Sequence, residues 1–479
     1  MSTVTVVSPL RMTGHPLQRC GARAVAALAR QDSPEEVTAA GLDEATDRIT
    51  GDIVRAAIVP NNAVAYDWWK VLFALYPNSP ATHSKRSRDP GELRSVIGAL
   101  FTPDSPGVTG SPCAFCSQPA GVLWGKDKLP MFDSSKAVNT LPPRLSGWPV
   151  CRACRIALWA LPYGAWVTAG SATVMTCPED AVERRFVRKN VERASRIRQL
   201  GFSGLPANAS AETVTLGALR AHGGRAPVGT TLWVFKNDNQ DAWLRVTATR
   251  GGVPAFIRAM LADPDCRAGW GALQWALTER DKDKQVKTSG VAAAAKTLFD
   301  PADQPGGPAT DRLQRVLVGL VKRPGNIEQL TARRLAGWRA LCRLYMEVIH
   351  QMDAGQVKPA RELITDWIRQ EQNPRGRFNQ YVSASGRAFE LQKLLMQASA
   401  RLLLDGRQPA DITALAPALF ATDGNGWRLR GLLFFDVIAE LVNEGVPIGR
   451  KAGIDESEEE PAKMTFDPNP LSGQESGED

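Results

Sequence analysis

Ser111-Pro112-Cys113-Ala114-Phe115-Cys116 and Pro149-Val150-Cys151-Arg152-Ala153-Cys154 set two Cys-x-x-Cys pairs 34 residues apart. Two thiolates at i and i+3 on a tight turn can grip one ion side by side, and a second such pair completes a tetrahedral shell. The spacing therefore predicts a zinc site made by Cys113, Cys116, Cys151 and Cys154. Four sulfurs fill that shell and leave no position for water or substrate, so the expected metal is structural. A redox dithiol or a chance pairing is the competing reading. The intervening loop carries turn formers at Leu129-Pro130, Leu141-Pro142-Pro143 and Gly147-Trp148-Pro149 and little sign of a long helix, which suits a zinc finger inserted over 106–160.

Upstream, Thr3 to Pro9 alternates β-branched residues and reads as a strand. A Thr-Gly-x-Pro turn at 13–16 and Gly21 introduce an Ala-rich helix ending near Arg30, and Ser33 can cap a second helix. Residues 67–77 (DWWKVLFALYP) form a compact apolar helix whose Trp68 and Trp69 read as core, with stacking on bases as the alternative. Downstream, 230–249 (TTLWVFKNDNQDAWLRVTAT) is a β-hairpin around a polar turn. These elements predict an α+β chain with a mixed N-terminal domain over 1–280. Composition then shifts over 281–308, where Asp-Gln-Pro-Gly-Gly-Pro reads as a linker. Amphipathic stretches near 311–322, 328–352, 359–371, 385–405 and 427–446 predict an all-α bundle of four or five helices over 309–450.

Charge is distributed unevenly. The 479-residue chain carries a net +8, yet residues 453–479 hold nine Asp or Glu and one Lys, so the body before them stands at +16. Such an excess implies a polyanionic partner, most often nucleic acid. The acidic tail over 451–479, poor in aromatics, is expected to be disordered. Within the finger Lys126, Lys128, Lys136, Arg144, Arg152 and Arg155 outnumber Asp127 and Asp133. A metal-ordered turn would aim Arg152 and Arg155 at a phosphate or a groove, or the pair could offset the charge of the thiolates. His83 to Asp89 is a basic loop that reads equally as solvated surface and as phosphate contact. The densest basic run is Val182 to Leu200, where Arg185, Lys189, Arg193 and Arg196 fall at i, i+4, i+8 and i+11 as one cationic stripe. Seven basic residues against two acidic ones between Val182 and Arg198 favour RNA or DNA backbone as its partner.

Other chemistry is not signalled. The four histidines, His15, His83, His222 and His350, lack ligand-spaced partners, and no Walker loop, nucleophile elbow or Asp-rich cluster occurs, so no enzyme is expected. No apolar run reaches 18 residues and no charged-then-apolar leader opens the chain, which predicts neither membrane span nor secretion. Cys20, Cys177, Cys266 and Cys342 are scattered without a framework, as suits a reducing cytoplasm.

Three places carry a family likeness: Thr13-Gly14-His15-Pro16 with Gly21 and its Ala-rich helix, the double Cys-x-x-Cys module, and LWVFKNDNQDAWLRV (232–246) followed by VPAFI (253–257). On these the chain resembles the large subunit of type I-B CRISPR interference complexes (Cascade), in the zinc-finger-bearing branch of the Cas-eight family. It departs at Cys20, where that pattern has an acidic residue, so no carboxylate role is carried over. The resemblance implies a non-catalytic subunit near the 5′ handle of the guide RNA (crRNA) that reads the protospacer-adjacent motif and helps open target DNA. It also implies partners: the backbone, handle-binding and small subunits, and a recruited helicase–nuclease, with sequence otherwise read by base pairing. A zinc-ribbon transcription or repair factor would use the same cysteines and basic helix without a bound RNA, and a nuclease is a third class.

Overall fold

The computed structural model describes residues 9–104, 111–125, 127–130, 147–224, 226–237, 242–302, 311–322 and 331–448. The expected first strand, the linker core at 303–308 and the acidic tail fall wholly or almost wholly outside them. The fold mixes helices and strands, with a helical C-terminal region, and divides into two compact units: Met1–His222 with Thr230–Ala248, and Gly223–Gly229 with Thr249–Asp479. No helix among the described residues is long and apolar enough to cross a membrane.

The first unit is built on one buried helix. Its helices are α1 (Pro16–Leu28), α2 (Ala39–Ile58), α3 (Tyr66–Leu75), α4 (Pro90–Ala99), α5 (Arg152–Gly164), α6 (Asp180–Leu200) and α7 (Ala211–Arg220). Ile156, Leu158, Trp159 and Leu161 of α5 are fully buried, each contributing about 1.5–3 kcal/mol of apolar transfer. The Ala-rich character of α1 has a steric cause: a Cβ on Gly21 would stand 1.9 Å from the Ala157 carbonyl oxygen, so α1 and α5 approach backbone to backbone. Gly21 thus serves helix packing, not the turn that introduces the helix. Charge ties α1 to α6, since Arg19 and Arg23 both reach the buried Glu183 carboxylate at 2.7 and 2.8 Å.

Strands β1 (Ser111–Pro112) and β2 (Pro119–Ala120) pair around the first cysteine turn, and β3 (Leu123–Trp124) pairs with β4 (Trp148–Pro149) before the second. Strands β5 (Trp166–Val167), β6 (Ala172–Thr176), β7 (Thr231–Lys236) and β8 (Trp243–Thr249) lie side by side, each antiparallel to the next. The hairpin over 230–249 is present, with Lys236 opposite Trp243. Trp68 is core, whereas Trp69 is half-buried, stacked between Tyr66 and Phe73 with the Arg86 guanidinium 4.7 Å above its ring. Arg86 and Arg88 of the basic loop both donate to the Ala57 carbonyl at 3.0 Å, at the C-terminal turn of α2.

In the second unit α8 (Val253–Ala262) and α9 (Pro264–Ala276) are followed by a hairpin, β9 (Glu279–Arg280) with β10 (Val286–Thr288), and by α10 (Gly290–Lys296). These positions correct two expectations. Residues 281–302 are folded rather than linker, because the small side chains of α10 allow close contact: a Cβ on Gly290 would lie 1.7 Å from the Gln274 carbonyl oxygen. The units also part near residue 248 rather than 280, since α9 crosses the helix Ala332–His350 glycine against glycine, Gly269 on Gly337. Helices α11 (Arg312–Lys322), α12 (Ala332–His350), α13 (Lys358–Arg369), α14 (Pro374–Ala384), α15 (Ala388–Leu404), α16 (Ala416–Leu419) and α17 (Gly424–Asn443) complete the chain. Helix α17 is the most buried of these and packs on α11, α12, α13 and α16.

One buried carboxylate joins four of the segments of this unit. Asp311 meets Arg428 at 2.7 Å, His350 at 2.8 Å and Arg250 at 3.2 Å. Burial alone would raise its pKa, but His350, Arg428 and Arg250 outweigh that and hold it at about 2, against an ordinary 3.8. A carboxyl whose folded pKa is depressed gives stability that is complete above about pH 4 and is lost as pH falls toward 2. Asp311→Asn is therefore expected to lower unfolding free energy at pH 7 by about 3–5 kcal/mol, the cost of stranding buried charge. Denaturant titrations at pH 7, 4 and 2 check this: the difference from wild type should shrink between pH 4 and 2, and a pH-independent difference would refute it.

Candidate metal centre and cationic groove

The metal centre grows out of backbone turns. The Cys113 amide donates to the Gln118 carbonyl at 2.7 Å, the Ser117 amide to the Cys113 carbonyl at 2.9 Å, and Ser117 takes a positive φ of 63°. This tight knuckle brings Cys113 and Cys116 to one side. The second pair comes from a helix start, with Cys151 as the N-cap of α5 and Cys154 in its first turn. The Arg152 amide at that start donates to Asp104 at 2.9 Å, and the remaining first-turn amides favour a sulfur anion. The bond from the Ala114 amide to the Pro149 carbonyl, at 2.9 Å, sews the two knuckles together.

All four sulfurs lie within 4.8 Å of one another, and Cys116 Sγ is 3.5 Å from Cys151 Sγ. A tetrahedral shell with bonds of about 2.3 Å requires sulfurs about 3.8 Å apart, so the donor set fits one tetrahedral metal ion. The four thiols perturb one another. Hydrogen bonds from Cys116, Cys151 and Cys154 hold Cys113 below the ordinary thiol range, and contacts led by Cys113 push Cys151 and Cys154 above it.

Gln18 is a supporting residue that spacing did not reveal. It is fully buried, and its Nε2 lies 3.8 Å from Cys154 Sγ and 2.6 Å from the Arg11 carbonyl. Its Oε1 accepts from the Thr13 amide at 3.0 Å and hydroxyl at 2.8 Å. The Thr13-Gly14-His15-Pro16 turn is thereby anchored to the cysteine cluster, and the His15 ring meets Phe115 edge-on at 5.0 Å. Such outer-sphere donors orient ligands.

Arg152 and Arg155 are committed to the protein. Arg152 donates to the Phe101 carbonyl at 2.7 Å and pairs with Asp43 at 2.6 Å. Arg155 is fully buried, bonded to the carbonyls of Leu100 and Thr102 and to Asp104 at 2.8 Å, and burial lowers its pKa. It cannot meet a phosphate without unfolding that pocket, which corrects its assignment as a nucleic-acid contact.

The cationic stripe of α6 is likewise divided. Arg193 is buried, its guanidinium 3.8 Å over the Trp166 ring and bonded to the Val167 carbonyl at 2.7 Å; desolvation pushes its pKa down to about 10. Its position among Val182, Phe186, Asn190 and Ile197 on the inward face explains why, and removes it from the binding set. Arg196 is half-buried and lies outside the groove described next. Arg185 and Lys189 do line an open groove of about 430 Å³, and Arg184 and Arg188, which the stripe omitted, join them there. Arg188 pairs with Asp32 and Lys189 with Glu192, both at exposed carboxylates. Because Glu183 is turned inward to Arg19 and Arg23, four cations face two carboxylates along this groove.

Compared with known proteins, the chain matches no family model, no curated protein and no solved structure.

Proposed function

We propose that this chain is the non-catalytic large subunit of a type I-B CRISPR RNA-guided surveillance complex, acting in the cytoplasm on crRNA and target DNA. The observation that carries the nucleic-acid part of this reading is the α6 groove, where one helix presents Arg184, Arg185, Arg188 and Lys189 on an open surface. The family part rests on the resemblance of the Thr13–Pro16 turn, the four-cysteine module and the 232–257 segment. In this reading Cys113, Cys116, Cys151 and Cys154 hold one structural zinc at the root of a finger inserted over 106–160, and residues 309–450 form an all-α bundle. The zinc would supply folding free energy and no chemistry. Motif reading, duplex opening and recruitment of the helicase–nuclease would follow from contacts with the backbone, handle-binding and small subunits.

Co-expression with the genomic neighbours tests the assignment. The chain is expected to purify with a discrete short RNA of uniform 5′ end. Purification free of RNA, together with tight duplex binding by the isolated chain, would favour a zinc-ribbon transcription or repair factor instead.

A further inference from the structure

The basic loop over 83–89 holds two guanidiniums that no carboxylate meets. Arg86 and Arg88 both donate to the Ala57 carbonyl at 3.0 Å, so their donor nitrogens lie at most twice that distance apart. Arg86 adds the His83 carbonyl and the Trp69 ring, and neither arginine makes an ion pair among the described residues. The acidic groups nearby are engaged elsewhere: Asp89 caps α4 by accepting from the Glu92 amide at 2.8 Å, and the Glu92 carboxylate accepts from the Ser87 hydroxyl at 2.7 Å. Capping the end of α2 accounts for one arginine, not two. A helix C-terminus presents about half a negative charge, against two full positive charges here. Burial and the neighbouring Arg88 both press the Arg86 pKa down, as befits a cation short of counter-charge.

Beside these cations α3 presents a row of aromatic rings. Tyr66, Trp69 and Phe73 stand at i, i+3 and i+7, with Tyr66 stacked on Trp69 at 4.8 Å and Trp69 on Phe73 at 5.2 Å. The Arg86 guanidinium lies 4.7 Å from the same indole. At the end of the row Phe73 is 45% exposed, whereas Val71, Leu72 and Ala74 around it are buried. The loop is fastened to the row, since the Trp69 indole donates to the Ala81 carbonyl at 3.2 Å and the His83 amide to the Ser79 carbonyl at 2.9 Å. Cations without counter-charge next to an open ring are the two elements that a single strand needs: charge for its backbone and a flat apolar surface for an unpaired base. A duplex, whose bases stack on one another, could use only the first.

We infer that Arg86 and Arg88 grip a phosphodiester of single-stranded nucleic acid whose unpaired base stacks on Phe73. This second site rests on the nucleic-acid reading of the chain but on none of the residues of the α6 groove.

Fluorescence anisotropy with one labelled sequence of about 12 nucleotides, offered as single-stranded RNA, single-stranded DNA and duplex, tests the site. Replacing Arg86 and Arg88 together with Gln should flatten the logarithmic salt slope for a single strand by about 1.4, so that between 50 and 200 mM salt wild type loses roughly sevenfold more affinity than the variant. Arg88→Gln alone, an exposed change that leaves Arg86 on Ala57 and Trp69, should flatten the slope by about 0.7 with the melting temperature in place. Phe73→Ala should weaken single-strand binding roughly 5- to 150-fold at an unchanged slope and leave duplex binding as it was. A loss confined to the RNA or to the DNA probe would name that polymer as the occupant. If Arg88→Gln keeps the wild-type slope, or Phe73→Ala weakens duplex as much as single strand, the arginines only cap α2 and the site falls. The groove variant with Arg184, Arg185, Arg188 and Lys189 changed to Gln, measured alongside, separates that failure from failure of the nucleic-acid reading. In the first case the groove variant still loses slope; in the second, wild type binds none of the probes.

Discussion

Replacing Cys154 with Ser, or stripping metal from the chain with a chelator, is expected to unfold the four-cysteine module and to loosen the first unit with it. Structural zinc in small thiolate sites contributes on the order of 10–16 kcal/mol of apparent binding free energy, as much as the entire stability of a typical domain. The strands of this module are two residues each, too short to hold themselves, and the turns at Cys113–Cys116 and Cys151–Cys154 have no other cross-link among the described residues. The effect should travel because Cys151 caps α5 and Cys154 lies in its first turn, while Trp159 further along donates to the Lys128 carbonyl at 3.1 Å. Elemental analysis of the purified protein should return close to one zinc per chain. Near-ultraviolet circular dichroism should report the loss at Trp124 and Trp159, both fully buried beside the module. A metal-free protein that melts at the same temperature as its Cys154→Ser variant would remove the metal centre from this account.

Much of that centre was legible because four-thiolate coordination needs only residue type and spacing, and both are local. The hairpin at 230–249 and the C-terminal helices were legible for a similar reason: period and turn chemistry are short-range. Gln18 was hidden, since its role depends on α1 passing under Cys154, a contact 136 residues away in the chain. The domain boundary was misplaced by composition. Residues 281–302 look polar and Ala-rich, yet backbone approach at Gly290 makes them part of a packed unit. Arg193 is the most instructive error. A helical stripe of cations passes through it by spacing, but its distance from Phe186 and Ile197 puts it equally on the apolar face, and tertiary packing chooses the latter. The indole of Trp166 and the Val167 carbonyl make that burial tolerable. The count of two acidic residues between Val182 and Arg198 includes Glu183, which Arg19 and Arg23 draw inward, leaving the outer face more positive than the count implies.

Conversion of Arg184, Arg185, Arg188 and Lys189 together to Gln should abolish most salt-sensitive nucleic-acid binding while leaving the fold intact. Each phosphate neutralised by a cation contributes about 0.9 to the logarithmic salt slope for duplex and about 0.7 for single strands. Four lost contacts would therefore flatten the slope by about 3 to 4, so that between 50 and 200 mM salt wild type should lose roughly 50- to 150-fold more affinity than the variant. Two of the cations begin in ion pairs, Arg188 with Asp32 and Lys189 with Glu192. Those pairs are exposed and weak, so a phosphate can displace them, and the single changes at Arg184 and Arg185 should show the fuller effect, close to one slope unit each. Arg193→Gln supplies the contrast. Its guanidinium is spent on Trp166 and Val167, so the loss should appear in melting temperature and not in salt slope. Fluorescence anisotropy with a labelled RNA and a labelled duplex at several salt concentrations separates these outcomes. Should the quadruple variant keep both its affinity and its slope, the α6 groove is a solvated face, and the polyanion that the basic body calls for must bind elsewhere.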